Sequence, residues 1–276
     1  MTINIKQIAT DAAEGDEEIG ALLEKAYEQV GLKGVVAIQE SQESNISYVD
    51  VVEGMEFNEG YISHEFITDP EKKIAKLENP YILLYDRKIS YEENLSFLAN
   101  IKQTIWEEGG SLLIIAEDVT HNALTALEEQ KQKGLLKNAA VKNPGYNKNT
   151  KAILQDIATL TGGTVISKDL GLKLENVTVE ELGTAILINI DEDNTTIVDA
   201  KGEISAIQGR VDFLRQQIED SVNDEEKKEL QERVQKLAGG VAVVYVSAPS
   251  KQELAVRMKR AENALHATKS AIKESQ

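Results

Sequence analysis

The feature that most constrains the fold is an alternation of short apolar runs with amphipathic segments. Residues 81–85 and 112–116 are continuous apolar runs of strand length, which is typical of buried strands. The segment between them carries apolar residues at spacings of three and four, namely Leu95, Leu98, Ile101 and Ile105. This spacing predicts a helix. Further helices are predicted over 122–133 and 151–160, and further strands over 139–141 and 164–167. Alternation of this kind predicts an α/β fold with a mainly parallel sheet covered by helices.

Both ends of the sequence predict additional elements. An apolar stripe over residues 19–30 indicates an amphipathic helix with acidic residues in its first turn, and Gly31 is placed to end it. Strands are predicted over 35–38 and 47–52. The last third predicts two amphipathic helices, a strand over 241–246 and a long polar helix from residue 251 to about 273. No low-complexity linker separates these parts, so a chain with two domains would cross between them twice.

Charge and composition exclude several classes of function. The formal net charge is −17, whereas phosphate backbones and anionic membranes select basic surfaces, so we expect no nucleic acid and no membrane as partners. The absence of cysteine excludes disulfides, cysteine-based metal sites and thiol nucleophiles. No apolar run approaches the roughly 20 residues of a membrane helix, and the first residues lack the apolar core of a signal peptide. These features predict a protein of the cytoplasm.

No group of residues has the spacing of a catalytic or metal centre. His64, His121 and His266 are far apart in the sequence and none falls in a metal-ligand spacing, so we expect no metal site. The glycine pairs at 162–163 and 239–240 each lie between a predicted helix and a predicted strand. A phosphate-binding loop precedes a helix instead, so we interpret both pairs as helix stops. These residues alone predict a soluble α/β protein without a recognisable active site.

Several segments match one known family in its own order. They are DVVEGMEF (50–57), GYIS (60–63), LLIIAEDV (112–119), LQDIATLTGGTVIS (154–167), AIQGRV (206–211), RQQIE (215–219), LQERV (230–234), KLAGGVAV (236–243) and NALHAT (263–268). These segments resemble the group I (GroEL-like) chaperonins over nearly the whole chain. The sequence is therefore identified as a member of that family.

The resemblance implies two domains. Residues 1–52 and 242–276 correspond to a small α+β intermediate domain, and residues 53–241 to the apical domain, a mixed or parallel sheet flanked by helices. In the family, the apical domain binds non-native polypeptide and a GroES-like co-chaperonin, and the full-length chain forms a homo-oligomeric ring. Family members bind ATP and Mg²⁺ in an equatorial domain built from both chain ends. We expect that domain to be missing here, so no cofactor and no enzymatic activity are expected of this chain alone.

The family's polypeptide-binding surface is a groove between two apical helices, together with a nearby extended segment. Because unfolded proteins share exposed apolar surface and little else, an apolar rim binds them promiscuously. The resemblance places Tyr61, Phe66 and Leu124 at matching apolar positions and makes Leu95 and Leu98 further contributors. We expect accessible apolar side chains near the first three. The alternative for each residue is ordinary core packing.

Three glutamates stand where the family usually has apolar residues. Glu65 replaces an aromatic residue, and Glu128 and Glu129 replace two aliphatic residues of the second groove helix. Each buried apolar side chain contributes roughly 1.5–3 kcal/mol, so we expect weaker binding of generic apolar clients. The resulting hypothesis is a changed client range, such as basic or amphipathic segments, or a different co-chaperonin contact.

A further departure concerns ATP hydrolysis. Asn263 stands where the family has an aspartate that serves hydrolysis from the intermediate domain. An amide can neither take a proton nor supply the negative charge that helps to position metal and attacking water. We therefore expect slow hydrolysis in a full-length chain that carries Asn263.

Three functions remain open from the sequence. The first is a chaperonin arm that binds non-native polypeptide or co-chaperonin and performs no catalysis of its own. The second is a divergent paralogue whose acidic apical rim serves a dedicated partner. The third is an independent enzyme or small-molecule-binding protein, which would have a closed polar pocket at the carboxyl edge of its sheet.

Overall fold

The computed structural model describes residues 4–32, 34–41, 46–90, 95–145 and 149–274. The chain divides into two compact units, which are Met1–Val52 with Gly239–Gln276 and, between them, Glu53–Ala238. We call these the discontinuous unit and the central unit. The chain passes from one to the other at residues 52–53 and returns at 238–239.

Helices and strands are numbered along the chain within the described residues. The helices are α1 (Ile5–Ala12), α2 (Glu17–Val30), α3 (Leu98–Glu107), α4 (His121–Gln132), α5 (Thr150–Thr161), α6 (Ile204–Asp220), α7 (Asp224–Ala238) and α8 (Lys251–Glu274). The strands are β1 (Val35–Glu40), β2 (Tyr48–Val52), β3 (Gly54–Phe57), β4 (Ala75–Glu78), β5 (Pro80–Tyr85), β6 (Lys88–Ile89), β7 (Ser111–Ala116), β8 (Asp118–Val119), β9 (Asn138–Lys142), β10 (Val165–Ile166), β11 (Gly183–Ile190), β12 (Thr195–Ala200) and β13 (Val241–Val246).

The discontinuous unit is a three-stranded sheet covered by helices. Its strand order is β1-β13-β2, with β1 parallel and β2 antiparallel to β13. The apolar stripe of α2 packs into a core with residues of all three strands and of α1 and α8. Asp16 caps α2 by accepting a hydrogen bond from the Ile19 amide, and Gly31 ends the helix with a φ of 78°. Both ends of this helix lie where the sequence predicts them.

The central unit is built on a mixed sheet of order β3-β12-β11-β5-β7-β9, with β10 beside β5 and β4 beside β11. Strands β10, β5, β7 and β9 are parallel. Strands β3, β4, β11 and β12 form an antiparallel half that the strand–helix alternation does not predict. A tight turn joins β11 to β12, because Asp191 accepts hydrogen bonds from the amides of Asp193 and Asn194. The sheet is therefore mixed, as the resemblance implies, rather than mainly parallel.

Helices surround the parallel half of this sheet. The buried sides of α3, α4 and α5 contribute to one apolar core with the strands, and α6 and α7 add Leu214 and Leu230 to it. Gly162 ends α5 with a φ of 73°, and the pair at 239–240 separates α7 from β13. Both glycine pairs are helix stops, as predicted. Every helix within the described residues is either too short or too polar to cross a lipid bilayer.

Candidate functional site

Close backbone packing positions the segment that follows β3. A Cβ at Gly60 would lie 2.0 Å from the carbonyl oxygen of Glu192, so only glycine lets the chain pass the β11–β12 turn this closely. The Tyr61 amide then donates to the Asp191 carbonyl at 3.2 Å, and the Ile62 amide donates to the Ala140 carbonyl at 3.1 Å. These contacts fix the direction in which the segment leaves the sheet. This segment comprises residues 61–67 and is called the 61–67 segment below.

A single 3₁₀ turn, His64–Phe66, follows in this segment. Ser63 caps the turn, because its hydroxyl accepts a hydrogen bond from the Glu65 amide at 3.2 Å. The turn points the Phe66 ring into the core, where it is fully buried, and Tyr61 is only 8% exposed. The local geometry therefore turns both aromatic rings away from solvent.

The apolar residues assigned by resemblance occupy different environments. Tyr61, Phe66 and Leu98 belong to the core, and Leu124 is partly buried against it. Leu95 begins the short 3₁₀ turn Leu95–Phe97, and its side chain lies outside the described part of the chain. In this conformation the buried three stabilise the fold and offer little surface to a partner. Their role in binding stays a prediction.

The three glutamates each have a partner within the central unit. Glu128 accepts a hydrogen bond from the Ser63 hydroxyl at 2.6 Å. The Glu65 carboxylate accepts one from Gln132 at 3.2 Å, and the Glu129 carboxylate pairs with Lys133 at 2.7 Å. Glu65 and Glu129 are exposed, and Glu128 is half-buried. Each of these carboxylates thus has a hydrogen-bond or ion-pair partner within the chain.

Charges and burial alter three titrating groups in this region. Burial raises the pKa of the Tyr61 phenol, and the carboxylates of Glu192 and Asp191 raise it further. Burial lowers the pKa of the Lys131 ammonium. The hydrogen bond from Lys133 holds the pKa of Glu129 below its usual range. The Tyr61 phenol is therefore neutral, and Glu129 ionised, at neutral pH.

An exposed apolar groove, which we call the Trp106 groove, lies between α3 and the end of α4. It has a volume of about 380 Å³ and is lined by Lys102, Gln103, Trp106, Gly134 and Leu135. Trp106 is 68% exposed and Leu135 is 49% exposed. Two large apolar side chains therefore reach solvent at one concave place.

The way α4 ends explains why Leu135 is exposed. Gly134 has a φ of 65° and donates its amide to the Lys131 carbonyl, while the Leu135 amide reaches back to the Gln130 carbonyl. This paired hydrogen-bond pattern satisfies the last carbonyls of the helix and turns the chain sharply. Leu135 then projects from the turn beside α3.

Sequence reasoning did not single out this groove, although one signal was present. The buried stripe of α3 consists of Leu98, Ile101 and Ile105. Trp106 follows Ile105 directly and therefore falls outside the stripe, on the solvent side of the helix. A large aromatic residue off the apolar stripe of a predicted helix is the signal that could have found it.

The remaining predicted site residue lies in the discontinuous unit. Asn263 is on α8, where its side chain is exposed, while Ala261 and Ala264 face the core. This orientation leaves the carboxamide accessible to a group outside the described chain. The role of Asn263 in ATP hydrolysis stays a prediction.

Histidines and carboxylates do not assemble into a metal centre in the described ranges. His64, His121 and His266 are all exposed. The His64 ring meets Tyr61 edge-on, with ring centroids 5.4 Å apart. Among the described residues, no group of three or more potential ligands is arranged to hold a metal ion.

Comparison with known families gives one match over almost all of the sequence. The model of the TCP-1/cpn60 chaperonin family matches residues 4–276. The matched range includes both units, the 61–67 segment, the Trp106 groove and Asn263.

Proposed function

The chain belongs to the TCP-1/cpn60 chaperonin family, and we propose that its central unit binds non-native polypeptide through the groove beside Trp106. Chaperonins are ATP-hydrolysing proteins that act as rings on client polypeptides, so a general chaperone role follows from the family match. The observation that carries the proposal is the joint exposure of Trp106 and Leu135 in one concave site.

The chemistry of this groove suits clients without a common sequence. Trp106 and Leu135 supply apolar contact area, and Lys102 and Gln103 supply polar groups at its edge. Apolar burial is non-directional, so many different client segments satisfy it equally well. The Trp106 ring adds a large contact area at a small cost in side-chain entropy. Promiscuous, moderate-affinity capture is the behaviour that such a surface supports.

The two units have different roles in this proposal. We assign the central unit as the apical domain of a group I chaperonin, with a GroES-like co-chaperonin as a second ligand. We assign the discontinuous unit as the intermediate domain, which the chain leaves at residue 52 and re-enters at 239. A cytoplasmic location stays a prediction of the sequence.

We further propose that Asn263 limits ATP hydrolysis in a full-length ring whose chains contain this sequence. Its exposed amide can donate and accept hydrogen bonds but cannot act as a base or carry charge beside Mg²⁺. Asn263→Asp should raise the turnover of ATP in such a ring, while nucleotide binding changes little. Equal turnover by the two rings would contradict this role.

The central proposal is tested by aggregation of a chemically denatured client. We expect the chain to suppress light scattering by the client, and the double variant Trp106→Gln with Leu135→Gln to lose most of that suppression. Val222→Ser is the matched control, because Val222 is 98% exposed in the same unit but lies between α6 and α7. Circular dichroism and thermal melting establish that each variant is folded. Unchanged suppression by the double variant would contradict the proposal.

A second candidate function is binding of one dedicated partner. The observation that favours it is the burial of Tyr61, Phe66 and Leu98, which removes much of the apolar surface that generic clients need. The exposed carboxylates of Glu65 and Glu129 add polar character to the rim. If the folded chain fails to suppress aggregation of generic clients, this second function is favoured.

A further inference from the structure

A set of polar contacts joins the 61–67 segment to helix α4. We call this set the clasp; its members are Ser63, Glu65 and Ile67 on the segment and Glu128, Lys131 and Gln132 on α4. We propose that the clasp holds the segment closed over the core and thereby limits the apolar surface that the central unit offers to a client. Because the clasp would regulate polypeptide binding, this inference rests on the function proposed above.

The clasp uses groups on one side of α4. Glu128 and Lys131 are three residues apart, so they lie one turn apart on the same side of the helix. The Ser63 hydroxyl donates to Glu128 Oε1 at 2.6 Å. The Lys131 ammonium donates to two carbonyl oxygens of the segment, that of Glu65 at 2.6 Å and that of Ile67 at 2.9 Å.

Lys131 is the central member of this set. Hydrogen bonds from an ammonium group are stronger than those between neutral groups. The carbonyl groups that accept from Lys131 belong to Glu65 and Ile67, the residues directly before and after Phe66. Lys131 therefore holds the backbone on both sides of Phe66, whose ring is fully buried. Gln132 adds a weaker contact by donating to the Glu65 carboxylate at 3.2 Å.

The backbone hydrogen bonds of the 3₁₀ turn join residues of the 61–67 segment to one another. Within it, the Phe66 amide bonds to the Ser63 carbonyl at 3.2 Å and the Ile67 amide to the His64 carbonyl at 3.1 Å. Neither bond ties the 3₁₀ turn to another element. Among the described residues, the backbone hydrogen bonds from this segment to the sheet end with that of the Ile62 amide to the Ala140 carbonyl. The turn is therefore held by the clasp and by burial of Phe66, which is the kind of region that opens locally before the rest of a fold.

Opening would uncover a compact apolar strip. Phe66 is fully buried beneath the turn, and Ile62 and Ile67 are partly buried against the same core. The strip would add to the Trp106 groove as apolar surface of the central unit. Glu65 and Glu128, which depart from the apolar residues usual in the family, then have a defined use. They are intramolecular partners that keep the strip covered, rather than groups that select basic clients.

The chain offers a matched pair of lysines for the test. Lys131 reaches across to the segment. Within the described residues, the ion pair of Lys133, which follows α4 directly, is with Glu129 of that helix at 2.7 Å. Lys131→Met keeps most of the stem and removes the ammonium, and Lys133→Met does the same two residues away. Ser63→Ala removes the hydrogen bond to Glu128, together with the cap of the 3₁₀ turn, without changing α4. Melting curves identify any variant that fails to fold.

Hydrogen exchange followed by mass spectrometry measures opening of the 61–67 segment directly. Because charge-assisted hydrogen bonds are lost, we expect Lys131→Met to exchange the segment's amides about tenfold faster than wild type. Ser63→Ala should give a smaller increase, and Lys133→Met should stay within about twofold. Binding of an apolar fluorescent dye should rise in the same order. Exchange in Lys131→Met equal to that in Lys133→Met would overturn the clasp.

A second arm separates the clasp from the proposed function. Each variant is assayed for suppression of aggregation of the denatured client. Faster exchange together with stronger suppression supports both the clasp and its control of client binding. Faster exchange with no suppression by any variant supports the clasp as a conformational device and contradicts the proposed polypeptide binding. Stronger suppression without faster exchange overturns the clasp.

Discussion

Asp156 and Arg233 form a two-point hydrogen bond, with Arg233 Nε 2.7 Å from Asp156 Oδ2 and Nη2 2.9 Å from Oδ1. The Nε of Arg210 donates to the same carboxylate at 2.7 Å. Asp156 is only 2% exposed, and its two partners lie on α6 and α7 while it lies on α5. One buried carboxylate therefore joins three helices of the central unit.

Removing this carboxylate should destabilise the central unit strongly. In Asp156→Ala, two arginines would be left without their buried partner, and such losses cost about 3–5 kcal/mol. Urea unfolding monitored by circular dichroism measures the change in the free energy of unfolding. Asp212→Asn is the control, because Asp212 pairs with Arg215 on the surface of α6 and should change stability by about 0.5 kcal/mol or less. Equal effects in the two variants would contradict the role of Asp156.

The discontinuous unit should lose stability in acid through Asp16. Burial by itself raises the pKa of Asp16, but hydrogen bonds from Arg257 and the Ile19 amide outweigh it and hold that pKa below the usual 3.8. The folded pKa is lower than the unfolded one, so this stabilisation is present above about pH 4 and is lost as the pH falls through the folded pKa.

Asp16→Asn isolates that contribution. The amide still caps α2 but carries no charge for Arg257. We expect the variant to melt at a lower temperature than wild type near neutral pH and the difference to shrink below pH 4. Melting curves across this pH range measure it. A constant difference at all pH values would show that the charge of Asp16 has no part in the effect.

Any side chain at Gly60 should destabilise the central unit. In Gly60→Ala the new methyl group would lie 2.0 Å from the Glu192 carbonyl oxygen, so the β11–β12 turn must shift at a cost of about 1–3 kcal/mol. Gly209→Ala is the matched comparison, because nothing lies within 4 Å of a Cβ there. It lies inside α6, where alanine should stabilise by about 0.5–1 kcal/mol. Opposite signs in urea unfolding are expected, and destabilisation by both would be inconsistent with this account.

Tyr81 should ionise only in strong alkali. Burial and a hydrogen bond from its hydroxyl to Glu108 raise the pKa of Tyr81 to about 12. Because the folded pKa is the higher one, this stabilisation is complete below about pH 10 and is lost as the pH rises toward 12. A tyrosinate absorbance titration of Tyr81→Phe should lack the highest-pH transition of the wild type. Retention of that transition would assign it to another tyrosine.

Local structure followed from patterns within a few residues. The apolar stripe of α2, the runs in β5 and β7, and the stop at Gly162 all lie where the sequence predicts them. The antiparallel half of the sheet was missed because β11 and β12 are recognised by pairing with each other and with β3, β4 and β5. Strand pairing depends on residues far away in the sequence, so a single sequence predicts it less clearly than it predicts the apolar stripe of a helix.

The candidate site was harder to predict than the fold. Phe66 and Trp106 are both large apolar residues, yet the first is fully buried and the second is 68% exposed. A 3₁₀ turn directs Phe66 into the core, and its position off the buried stripe of α3 leaves Trp106 in solvent. Hydrophobicity alone does not separate these two outcomes, because burial depends on which elements pack against a residue.

The sequence by itself determined the described helices other than α1, the buried strands of the parallel half and the family, because these depend on short-range periodicity and on motifs that follow the family's order. The short helix α1 was not predicted. Only the tertiary structure decided which apolar side chains reach solvent and which carboxylates are already paired. Ser63 and Glu128 are 65 residues apart in sequence and 2.6 Å apart in space. Pairing over such a separation is set by packing of the whole unit, and no local pattern encodes it.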